Sequence, residues 1–216
     1  MKKQPAPQFP RPKPPAGLGE HTTGWQMFAP ALAVEDWIRA HLLAEDGYLH
    51  NPDHKHLIGA EFRVLWAAGG FASKGRTVVG TAEQVAFRCN AWQRMRQEQQ
   101  MQEWFGRVPD YLITLAADYA SQCSDADFCA LVEHELYHVA QVRDGYGAPV
   151  FTKEGNPKLM IRGHDVEEFV GVVRRYGVGS AAGATAELVR VAQLQPEVSR
   201  LNLAHACGTC SIRLVA

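Results

Sequence analysis

The segment that most constrains what this chain can fold into is His134-Glu135-Leu136-Tyr137-His138, carried on a stretch whose spacing predicts a helix over residues 125–141. Ser124-Asp125-Ala126-Asp127 opens that helix. A Ser or Asp side chain accepts the orphan backbone N–H groups, and acidic residues suit the positive end of the dipole. Phe128, Leu131, Val132 and Leu136 give it apolar surface to bury. Residues four apart lie about one turn along and about 40° round a helix, so two imidazoles can grip one cation. Glu135 cannot easily be a third ligand from its position, but it can accept a proton from water at such a cation. With 9 histidines in 216 residues, an HExxH arises by chance in only about 2% of such chains. The pattern is therefore read as a zinc site.

A catalytic zinc takes three protein ligands and leaves one position for water. The third ligand is expected downstream, where Gly163-His164-Asp165-Val166-Glu167-Glu168-Phe169-Val170 gathers one imidazole and several carboxylates at the start of a second amphipathic helix. His164 and Glu168 are four apart and share a face, so either can reach the metal while the other orients it.

These two blocks resemble the phage metallopeptidases, zinc-dependent enzymes of the zincin type. The second block is also similar to that of the SprT-like proteases, in which a His followed by a short Glu-Phe-containing segment completes the zinc site. The resemblance favours His164 over Glu168. It implies an α+β fold: a small zincin-like metallopeptidase domain with a few-stranded sheet packed on the HExxH helix, and an edge strand able to pair with a substrate peptide. Residues 111–117 or 76–81 are candidates for that edge. The implied activity is hydrolysis of peptide bonds, with zinc held by His134, His138 and His164 and with Glu135 as catalytic base. Tyr137, Tyr146, Tyr176, Arg162 and Arg174 are conceivable oxyanion donors, and the sequence places none of them. A catalytically silent zinc-binding interaction protein and a zinc amidase acting on cell-wall linkages are the alternatives.

SprT-like proteins often carry a zinc ribbon, which needs two cysteine pairs, whereas this chain offers one, Cys207-Gly208-Thr209-Cys210, with His205 nearby. One CxxC is half a zinc site, a redox pair or two reduced thiols in a turn. Five cysteines are too few for a disulfide framework and fit a reducing compartment. Cys129 and Cys89 are read as small buried residues.

Lysine plus arginine number 22 against 23 acidic residues, which supplies none of the broad positive field of a bulk nucleic-acid binder. No run of about 18 apolar residues occurs, so no membrane span is expected. The basic start meets prolines rather than an apolar stretch, and a cytoplasmic location in a bacterial cell or phage host is expected. The expected partner is a protein or peptide substrate.

Residues 1–24 are expected to be a flexible Pro-rich tail, with partner contact through its prolines as a secondary role. Residues 25–180 are expected to form the metallopeptidase domain, and residues 181–216 a C-terminal helix and tail with the CxxC. Within the domain, residues 34–44 have helical periodicity. Residues 50–56, with His50, His54 and His56 around Asn51-Pro52-Asp53, read as a hydrated loop. Residues 61–66 alternate as a strand and suggest a hairpin with residues 76–85. A helix with a loose apolar face is expected over 86–105, and a strand over 111–116.

Overall fold

A computed structural model describes residues 11–20, 26–73, 76–166 and 183–195. The apolar run of Tyr111–Ala116 forms an inner strand, and every residue in it except Thr114 is buried. With the strands in chain order, β1 is Phe28–Pro30, β2 Phe62–Ala67, β3 Phe71–Ser73, β4 Arg76–Val78, β5 Gly80–Gln84 and β6 Tyr111–Ala116. The main sheet has the order β1-β2-β6-β5. β2 runs parallel to β6, whereas the β1/β2 and β5/β6 pairs are antiparallel. The expected hairpin between residues 61–66 and 76–85 does not form. β3 and β4 pair with each other, and β5 joins the far side of β6, while β2 takes the largely buried β6 as its parallel neighbour in the register Val64↔Ile113. Residues 111–116 are consequently interior, and β5 is one of the two edge strands, with β1 at the other side.

The first helix, α1 (Leu32–Ile38), continues into a π-helical turn over Arg39–Leu43, and together they bury Val34, Trp37, Ile38, Leu42 and Leu43. Its buried Glu35 accepts the Val64 N–H at 2.9 Å and an Arg63 N–H at 3.1 Å, tying α1 to β2. Burial pushes this carboxyl above its usual value of 4.5, against the lowering effect of the Val64 and Arg63 hydrogen bonds.

The second helix, α2, spans Ala91–Phe105 and starts later than its sequence suggests, because Asn90 and Gln93 form a reciprocal capping box. None of its residues is buried, in keeping with the loose apolar face. A short α3 (Ala117–Gln122) leads into α4, Asp125–His138, whose first turn is capped by Ser124 accepting the Asp127 N–H at 3.1 Å. Phe128, Leu131, Val132 and Leu136 of α4 are fully buried in the core shared with Trp66, Ile113 and Leu115. Among the described residues a further helix, α5, covers Ala184–Ala192.

Arg11, which lies within residues 1–24, has its guanidinium at 2.6 Å from Asp125 and hydrogen-bonded to the carbonyls of Ala120 and Cys123, and it lies over the Phe128 ring. Cys89 is exposed, whereas Cys129 is buried as expected. Among the described residues, no helix is long and apolar enough to cross a membrane.

Candidate metal centre

The helix α4 ends at His138 rather than at residue 141, because Val139–Gln141 (β7) pairs antiparallel with Leu159–Ile161 (β8). Helix and strand are thus contiguous, and the ladder reaches one residue further. The Arg162 N–H donates to the His138 carbonyl at 2.9 Å. Two residues beyond Arg162, His164 reaches the turn of α4 that carries His134, its Nε2 standing 3.1 Å from His134 Nε2.

Three imidazoles converge there. His134 Nε2 lies 3.3 Å from His138 Nε2 and 3.1 Å from His164 Nε2, and the candidate ligand atoms all lie within 4.8 Å of one another. The fit to a metal can be tested on these spacings. In a tetrahedral site with metal–nitrogen bonds of about 2.0–2.1 Å, neighbouring ligand atoms stand roughly 3.3 Å apart, and the two separations from His134 Nε2 match that spacing. The far side of one ring agrees: His138 Nδ1 donates to the Arg162 carbonyl at 2.7 Å, which leaves the Nε2 lone pair directed at the centre. Glu168, the alternative third ligand, and Glu167 lie outside the described residues, as do His205, Cys207, Cys210, Tyr176 and Arg174.

Glu135 is fully buried. Its carboxylate occupies space left by Gly80 at the start of β5, where an added Cβ would stand 2.5 Å from Glu135 Oε1 and 2.8 Å from Leu131 Cδ1. A glycine in the edge strand is therefore what lets α4 approach with its carboxylate in place, a steric requirement with no motif to announce it.

The segment read as a hydrated loop is structural. Pro52–Leu57 forms a 3-10 turn, and His54 is fully buried, with its ring edge-on to Tyr137 at 4.5 Å between centroids. His56 Nε2 donates to the Val139 carbonyl at 2.7 Å. Asn51 donates to Glu133 at 2.6 Å and to the Tyr137 hydroxyl at 2.9 Å, and that hydroxyl donates to Asp53 at 2.9 Å. Burial alone would raise the Glu133 carboxyl, but the His54 imidazole, 3.7 Å away, and the Asn51 amide hold it below its usual 4.5. The hydroxyl of the tyrosine inside HExxH is thus held by Asn51 and Asp53.

Of the conceivable oxyanion donors, Tyr146 is fully exposed at a hairpin turn, whereas Arg162 and Tyr137 line the cavity of about 180 Å³ that holds the three imidazoles. Arg162 is the residue that sequence reasoning missed as a strut. Its Nε donates to the Tyr137 carbonyl at 3.0 Å, and its Nη1 pairs with Asp165, next to His164. One side chain locks the third-ligand loop onto the end of α4.

Comparison with known proteins gives one match. The family described as "Putative phage metallopeptidase" aligns with residues 35–193, spanning the HExxH helix, β7, β8 and the His164 loop. No curated protein and no solved structure matches the chain.

Proposed function

The chain belongs to this phage metallopeptidase family, and on that premise we propose that it hydrolyses peptide bonds at a zinc ion held by His134, His138 and His164, with Glu135 as general base. The observation that carries the reading is the convergence of three imidazoles, with His134 Nε2 at 3.3 Å from His138 Nε2 and 3.1 Å from His164 Nε2, beside a buried carboxylate. Zinc, when bound, supplies Lewis acidity that polarises a carbonyl and lowers the pKa of water toward neutrality.

The chain's own residues do the rest. His138 is held in the Nε2-ligating tautomer by the Arg162 carbonyl. Glu135, enclosed by α4 and β5, takes a proton from the attacking water and returns it to the leaving amine. Among the described residues β5 pairs only with β6, so its outer edge can align an extended substrate backbone beside Glu135.

The experiment compares wild type with Glu135→Gln on a proteome-derived peptide mixture read by mass spectrometry, with zinc content measured in parallel. Wild type should cleave and lose activity to a chelator. Glu135→Gln should retain zinc and lose at least about 100-fold in rate. Cleavage by Glu135→Gln at the wild-type rate overturns the base assignment. Zinc-loaded wild type that cuts peptidoglycan fragments but no peptide would make it an amidase. Zinc-loaded wild type that cuts neither would make it a binding protein.

A further inference from the structure

Beside the three imidazoles, and sharing Tyr137 and Arg162 with their cavity, lies a larger groove of about 840 Å³ between the 3-10 turn and the β7–β8 arm. Its walls carry Lys55, Arg143 and Arg162 against a single carboxylate, Asp53. That concentration of positive charge stands out in a chain whose net charge is -1. Asp53 is already engaged, since its Oδ2 accepts the Tyr137 hydroxyl. Arg162 is paired with Asp165. Lys55 and Arg143 form no salt bridge among the described residues, and the Arg143 guanidinium donates only to the Gly147 carbonyl there. The same groove is lined by apolar side chains, with Phe151 53% and Met160 43% exposed.

From the continuity of this groove with the metal centre and its two available cations, we propose that it receives the substrate chain on one side of the scissile bond and selects an acidic side chain there, with an apolar neighbour against Phe151 and Met160. The inference rests on the peptidase reading and adds the substrate class to it. A peptide is favoured over a nucleic-acid strand because the cations share the groove with exposed Phe151 and Met160, whereas a phosphate backbone would call for further positive charge.

The test uses the full-length zinc-loaded Glu135→Gln chain, so that binding is read without turnover. Fluorescence anisotropy compares two labelled octapeptides, identical except for Glu or Lys at alternate positions. The Glu peptide should bind roughly tenfold more tightly, the scale of two partly exposed ion pairs, and the preference should fade in high salt. A Lys55→Glu/Arg143→Glu version should reverse the preference while keeping its zinc and its melting temperature, since both side chains are exposed and neither belongs to the imidazole cluster. Equal binding of the two peptides, a preference that survives charge reversal, or tighter competition by an oligothymidylate of equal charge would each overturn the proposal. Failure of the peptidase reading would appear separately, as zinc-loaded wild type that cuts no peptide.

Discussion

Gly80→Ala probes the link between the sheet edge and the proposed base without touching a metal ligand. Gly80 has no positive φ, so alanine costs nothing in backbone conformation and acts through its methyl alone. That methyl would stand 2.5 Å from Glu135 Oε1 and 2.8 Å from Leu131 Cδ1, both on fully buried side chains. Restoring van der Waals contact requires the carboxylate to retreat by roughly 0.7–1 Å. Overpacking of this kind costs about 1–3 kcal/mol of stability. Misplacing a catalytic group by about 1 Å costs on the order of 100-fold in rate, or about 2.7 kcal/mol in the barrier. The assay is kcat/KM on a peptide cut by wild type, with zinc stoichiometry and thermal unfolding measured on the same samples. Gly145→Ala, whose Cβ meets nothing within 4 Å, is the control and should match wild type. A Gly80→Ala enzyme with full zinc, a lowered Tm and a kcat/KM within about threefold of wild type would refute the claim that Glu135 must sit where Gly80 lets it.

Arg162→Ala should weaken zinc binding by roughly 10–100-fold in competition with a chromophoric chelator, and Arg162→Lys should not rescue it, because an ammonium cannot span both the Tyr137 carbonyl and Asp165. Ser124→Ala removes the cap on α4 and should lower unfolding free energy by about 1 kcal/mol in urea titration. For Glu35, the folded carboxyl titrates above the usual 4.5 while the unfolded one does not. The native chain therefore holds the extra proton between those values, and stability should fall as pH rises through that window. Glu35→Gln should remove this contribution, seen as a flatter stability profile from pH 4.5 upward.

The parts of the fold legible in the sequence are those decided by local chemistry. The Ser124 cap and the apolar positions of α4 are written within one segment, as is the strand over residues 111–116. Strand partners were not legible, since the choice between β5 and β6 as neighbour for β2 depends on which faces the helices cover. The end of α4 was misplaced because it is set by pairing with residues 159–161, twenty positions away. In the site, the two histidines of HExxH follow from helical period alone, and His164 was legible by its block. The supporting shell was not. His54 looks like loop chemistry in a Pro-Asp context until Tyr137 is seen against its ring, and a glycine at the sheet edge carries no signal until a carboxylate is found in the space it leaves. Arg162 was one of several cations near the motif, and only the β7–β8 register gives it a task.

Zinc-edge X-ray absorption on the purified chain, with metal content determined on the same sample, tests the metal centre most directly. One zinc per chain with three imidazole nitrogens at about 2.0–2.1 Å, falling to two in His164→Ala, is the predicted result. A full complement of three imidazoles in His164→Ala, or a wild-type chain that takes up no metal when supplied with zinc, would contradict it.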